Sequence, residues 1–191
     1  GVEGGRAIAD LLFGGEVRSG KLPVTIPRSV DQVPIFYNHK NGGISVNGYY
    51  PFLPAENPHL FAYQDELGTP LFPFVFGLSY ARFAYSHVAL DRASMRADGR
   101  VTVSATVTNV GARTAEEVVQ LYVRDYVGSV TRPVRELKGF RRVLLEPSKS
   151  ARVSFELGFE ELAFWNQARA RVVEPGRFGV WVGGDAYAEV G

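Results

Sequence analysis

Between Val101 and Thr108 apolar and polar residues alternate without a break: Val101, Val103, Ala105 and Val107 interleave with Thr102, Ser104, Thr106 and Thr108. Successive side chains leave a strand on opposite sides, so this period of two predicts a strand with one face buried and one wet. The alternation returns at Ala151, Val153, Phe155 and Leu157, and Phe178, Val180 and Val182 supply another inward row. Val118 to Val123 and Leu137 to Leu145, around Gly139, read as strands between these, and Asn109-Val110-Gly111 signals a turn. About seven such segments at short, regular spacing predict an immunoglobulin-like β-sandwich from Phe83 onward. The disulfide and core Trp of antibody domains are missing, so the fibronectin type III-like variety is expected, and the chain as a whole is expected to be mainly β.

The first third of the chain does not share this period. Ala7, Ile8, Leu11 and Leu12 fall on one side of a short amphipathic helix, with Gly14 placed to end it at positive φ. Gly20-Lys21-Leu22-Pro23-Val24-Thr25-Ile26 reads as a turn feeding a short strand, which Pro23 confines to an edge or an irregular ladder. A helix and one strand cannot close a core, so both are expected to pack on something outside these residues. From Pro27 to Arg82 no period persists. Pro27, Pro34, Pro51, Pro54, Pro58, Pro70 and Pro73 break the backbone, yet rings such as Tyr37, Tyr63, Phe74 and Tyr80 are interleaved throughout. A solvated linker is polar and poor in aromatics, so this connector is expected to lie against a protein surface.

Composition narrows the function. Net charge is +1 and no Lys or Arg run exceeds two residues, which argues against a nucleic-acid partner that releases counterions from phosphates. No apolar stretch approaches the roughly 18 residues of a membrane span, and no leader pattern opens the chain. Cys is absent, so disulfides and thiolate metal sites are excluded.

Several blocks, in order, resemble glycoside hydrolase family 3. Gly1-Val2-Glu3-Gly4-Gly5 through Leu11-Leu12-Phe13-Gly14, then Ser19 to Thr25 and Pro27-Arg28-Ser29, are similar to the end of that family's α/β sandwich domain. Pro70-Leu71-Phe72-Pro73-Phe74-Val75-Phe76-Gly77-Leu78-Ser79-Tyr80 resembles the aromatic signature that leads into its fibronectin type III-like domain. Arg132 to Phe140, Phe164-Trp165-Asn166-Gln167 and Glu174-Pro175-Gly176 are similar to that last domain, and the wording around Phe164 resembles the bacterial periplasmic β-glucosidase branch. Two departures stand out. Val75 occupies a place where the family usually has Gly, so positive φ is not expected there, and Ala62 stands for a common Arg. The resemblance implies a remnant of the α/β sandwich at 1–30, a connector at 31–82 and the fibronectin type III-like domain at 83–191. Both termini look cut.

The resemblance further implies a retaining, exo-acting β-glucosidase that acts on a β-glucoside or oligosaccharide and needs no cofactor. Retention needs a carboxylate nucleophile and an acid/base about 5–5.5 Å apart. In the family these lie on an N-terminal barrel and in the α/β sandwich domain upstream, so no catalytic residue is expected in this chain. Tyr63 and Asp65 are the candidate substrate-binding residues, placed to border the substrate entrance. A periplasmic or secreted location is the matching expectation. The bland readings are weighed beside these. Glu3 suits a helix N-terminus, where a carboxylate gains modestly from the dipole. Glu66 and Glu116-Glu117 read as solvated, and His39, His59 and His87 are too scattered for a metal. The basic stretch Arg132, Arg135, Lys138, Arg141 and Arg142 reads as surface or packing charge, and Trp165 and Trp181 read as packing before sugar stacking. The rival from another class is a non-catalytic carbohydrate-binding or adhesion module; the opening helix and strand, useless to a free-standing sandwich, speak against it.

Overall fold

The computed structural model describes residues 2–40 and 69–187. Helix α1 (Gly4–Leu12) is followed by a short 3₁₀ helix, Val30–Gln32, and then by strands β1 (Phe83–Leu90), β2 (Val101–Asn109), β3 (Ala115–Asp125), β4 (Glu136–Leu145) and β5 (Ser150–Leu157). A one-turn helix α2 (Phe159–Leu162), the two-residue strands β6 (Phe164–Trp165) and β7 (Arg171–Val172), and β8 (Phe178–Gly183) complete the chain order. The long strands form two antiparallel sheets, β1-β2-β5 and β4-β3-β8, while β6 and β7 pair with each other.

The predicted alternation sets the core. Val103, Ala105 and Val107 on β2 and Val153, Phe155 and Leu157 on β5 are buried against Val119, Leu121 and Val123 on β3 and Val182 on β8. Both sheets thus turn one face inward, as expected for a fibronectin type III-like sandwich. Asn109 closes one end of β2. Its buried amide donates to the carbonyls of Arg113 (2.7 Å) and Leu145 (2.9 Å), and its oxygen accepts from the Gly111 N–H.

Strand β3 departs from simple alternation, because both its faces are covered. Gln120 and Tyr122, on the face turned away from the sandwich core, are as inaccessible as Val119 and Leu121. The cover over Tyr122 comes from Tyr37, Phe74 and Trp181, so the connector shields the outside of the β4-β3-β8 sheet. At the other end Glu117 is buried, 6% exposed. This corrects its reading as solvated: the Lys21 ammonium lies 3.1 Å from its carboxylate and the Tyr85 hydroxyl donates to it at 2.9 Å. A Cβ at Gly184 would stand 2.8 Å from the same oxygen, so glycine is what lets the chain just after β8 pass the pair.

Helix α1 buries none of its residues; Ile8, Leu12 and Phe13 are exposed, Phe13 at 90%. Its C-terminal end is nevertheless held. Gly14 takes φ +78°, and the Tyr80 hydroxyl donates to the carbonyls of Leu11 (2.9 Å) and Leu12 (2.7 Å) while the Arg18 guanidinium covers the ring. The following segment forms an irregular ladder, as Pro23 led one to expect, and leaves Val24 54% exposed. Leu22 and Ile26 pair with Phe76 and Phe72 of the same chain, through Leu22 N–H to Phe76 O (2.8 Å) and Ile26 N–H to Phe72 O (2.9 Å). Val75, between those partners, takes φ +61° with its N–H on Leu22 O at 2.9 Å, so the positive φ is kept without glycine. A β-branched residue there is strained.

Candidate functional site: the docked connector

A backbone bridge at one end and side-chain hydrogen bonds at the other tie the connector to the rest of the chain. Lys40 bridges to Pro133, and the Val134 N–H donates to His39 O at 2.9 Å. On the far side, Thr69 O accepts from Arg28 Nε (3.0 Å) and Gln32 Nε2 (3.3 Å), while the buried Gln32 takes the Arg28 N–H at 2.6 Å. Lys40 and Thr69, the described residues on either side of 41–68, are therefore both anchored. Tyr63 and Asp65, together with Glu66 and His59, fall within that stretch and lie outside the described residues.

Between the anchors sits an aromatic cluster. Tyr37 stacks on Phe74 with centroids 4.2 Å apart and meets Tyr122 edge-on at 6.2 Å. The buried Arg135 lies over Trp181 at 4.4 Å and over Tyr122 at 5.8 Å, and its Nη1 donates to Ala186 O at 2.7 Å. Desolvated cation–π contacts of this kind contribute about 2 kcal/mol. Tyr122 donates to Gln120, whose amide donates in turn to Gly184 O at 2.7 Å. The Leu137 N–H donates to the Tyr37 hydroxyl at 3.2 Å. The cluster fastens connector, β3, β4 and β8 into one unit.

Its phenols are held neutral. Burial, and then the neighbouring Tyr37 and Asp185, push Tyr122 far above the usual tyrosine range; burial and then Glu117 do the same to Tyr85. Burial followed by Asp185 pushes Tyr187 up to about 12, and burial also raises Tyr37. An unfolded tyrosine ionises near pH 10, roughly. Below that pH folded and unfolded chains keep the same phenol protons. Above it the unfolded chain releases protons that the folded chain retains, and stability falls. Thermal melts should therefore be level up to about pH 10 and drop steeply toward about pH 12; an unchanged midpoint across that window would contradict the buried phenols.

The buried carboxylates among the described residues do not face each other across a site where a glycoside could be cleaved. The two buried acids, Glu117 and Asp125, sit eight residues apart on β3, a separation of about 26 Å. Asp125 is neutralised by Arg132 at 3.4 Å, and burial outweighs that cation to hold its carboxyl above the usual range. Glu3 is exposed at the start of α1 and its side chain makes no cap hydrogen bond. His39 and His87 each contact their own neighbourhood, Lys40 O and Ser86 Oγ, and no group of metal ligands converges among the described residues. Arg132 and Arg135 are packing charge, as read, while Arg141 and Arg142 are exposed. Trp181 packs under Arg135, while Trp165 is 67% exposed, so of the core or interdomain packing expected for both only Trp181 finds its cover within the described residues.

Residues 1–80 match the glycosyl hydrolase family 3 C-terminal domain and residues 117–186 match the fibronectin type III-like domain. The chain is 46% identical to the periplasmic beta-glucosidase of Salmonella typhimurium over 97% of its own length. The chain belongs to glycoside hydrolase family 3. It is also 45% identical, over 99% of its length, to a beta-xylosidase of Formosa agariphila. This family 3 chain spans 24% of each of those relatives. Among solved structures it resembles the beta-glucosidase of Listeria innocua in complex with glucose, with a TM-score of 0.85 and 33% identity over 96% of this chain and 25% of that one. No helix among the described residues is long and apolar enough to cross a membrane.

Proposed function

We propose that this family 3 chain is the C-terminal part of a retaining, exo-acting β-glucosidase that releases terminal β-D-glucosyl residues. The observation that carries this reading is the 46% identity, over nearly the whole chain, to a beta-glucosidase of which it spans 24%. In the intact enzyme the nucleophile and the acid/base belong to the barrel and the α/β sandwich. These residues brace the domains: 1–30 complete the α/β sandwich, 31–82 connect, and 83–191 form the fibronectin type III-like domain. The exposed apolar side of α1 is then covered by the rest of the α/β sandwich. The anchored stretch between Lys40 and Thr69 borders the substrate entrance, where Tyr63 and Asp65 contact the sugar. The name of the Salmonella relative favours a periplasmic or secreted location.

A β-xylosidase is the second reading, favoured by the 45% identity to the Formosa enzyme. The two are separated by the full-length enzyme's kcat/KM on an aryl β-glucoside and on the matching β-xyloside. The first reading expects the glucoside to be preferred, with the β-anomer of glucose appearing first by proton NMR. A preference for the xyloside selects the second reading, and an α-anomer first overturns retention. Tyr63→Ala should raise KM about tenfold, as loss of one good contact does; an unchanged KM removes Tyr63 from the site.

A further inference from the structure

A cavity of about 480 Å³ opens between the β1–β2 connection and the segment leading into β8. Its size falls within the range of small-molecule sites, well above the water-sized voids usual in protein interiors. The floor is an outward extension of the sandwich core, formed by Val101, Leu157, Leu162 and Val180. Such a surface offers water few partners and rewards an apolar body that displaces it.

The rim is of the opposite character. Arg92, Arg96 and Arg177 line it against a single acid, Glu174. That acid is turned to the side: its carboxylate accepts from the Ser129 N–H (2.8 Å) and the Ser129 hydroxyl (2.6 Å). Among the described residues Arg92 and Arg96 pair with their near neighbours Asp91 (3.2 Å) and Asp98 (3.4 Å) on the open surface, where such pairs contribute little. Among the described residues no carboxylate pairs with Arg177. The rim is thus a cationic mouth over an apolar floor.

We propose that this cavity binds a small amphipathic monoanion, an arylalkyl carboxylate, with its carbon body on the core floor and its carboxylate at the arginine mouth. A neutral sugar suits the site poorly, because the floor presents aliphatic side chains in place of hydrogen-bonding groups. Guanidinium forks, by contrast, match a carboxylate in two-point fashion.

The 191-residue chain titrated with phenylbutyrate, followed by NMR shifts of the 91–100 and 173–180 amides, should show saturable binding with a Kd below about 1 mM. The uncharged phenylbutyramide should bind at least about tenfold more weakly. Arg177→Gln should weaken the acid several-fold without weakening the amide. Ala93→Trp, an exposed change that plugs the mouth, should abolish binding. Leu12→Asp, on the exposed side of α1, should leave it intact. Absence of saturable binding, equal affinity for acid and amide, or loss of binding through Leu12→Asp overturns the proposal. So does glucose occupying the site in place of the acid.

Discussion

Val103→Asp is expected to unfold the β-sandwich. Val103 is fully inaccessible within β2, opposite Phe155 of β5 and in the core shared with β3. The change forfeits roughly 1.5–3 kcal/mol of valine burial. It also places a carboxylate where no described cation can reach it without disturbing the core, at an effective penalty of several kcal/mol. Together these reach the lower part of the roughly 5–15 kcal/mol that holds a domain of this size folded. Thr106→Asp is the matched control. It lies on the wetter face of the same strand, opposite Arg152, and should shift stability by no more than about 0.5 kcal/mol. Denaturant titration followed by circular dichroism separates the two. A Val103→Asp variant melting like the parent would mean that β2 faces the other way.

The second large effect belongs to the Lys21–Glu117 pair. Both side chains are largely removed from water, and Glu117 also accepts from Tyr85. Lys21→Met removes the cation and leaves the carboxylate buried, which should cost about 3–5 kcal/mol. That corresponds to a fall in Tm of about 6–20 °C for a chain of this length. Adding Glu117→Gln to Lys21→Met should recover most of the loss, because the neutral amide still accepts the Tyr85 hydroxyl and no unpaired charge remains. A double variant as unstable as the single one would show that Lys21 matters for its packing and that the charge pairing is incidental.

The sandwich was legible because its signal is local. The alternation at Val101 to Thr108 and at Ala151 to Leu157 shows inside single strands, and those residues became the core. Helix α1 was legible for the same reason, and its bare apolar side follows from the pattern of Ala7, Ile8, Leu11 and Leu12. What sequence reading missed depends on partners far away along the chain. Glu117 looks like any acid at a strand start until Lys21, nearly a hundred residues earlier, is brought to it. The apolar-looking run Val118 to Val123 carried a usable hint. Tyr122 and Gln120 fall on its outer face, and a large ring beside an amide there suggests that the outer face is covered too. The ladder of Leu22 and Ile26 with Phe76 and Phe72 was hidden because no periodicity marks single bridges. Val75 keeps a positive φ because hydrogen bonds on both sides over-determine it, a fact that residue type alone argues against. At the site, the resemblance pointed to the stretch holding Tyr63 and Asp65, and the described residues supply only its two anchors.

Whether these residues support a catalytic centre without containing one can be decided by turnover of an aryl β-glucoside. Purified alone, the 191-residue chain should release no aglycone above the buffer rate, while the full-length enzyme under the same conditions releases it readily. Glucoside hydrolysis by the isolated chain would contradict the account at its root, since it would demand a working carboxylate pair within a polypeptide whose buried acids are already committed to arginine and lysine.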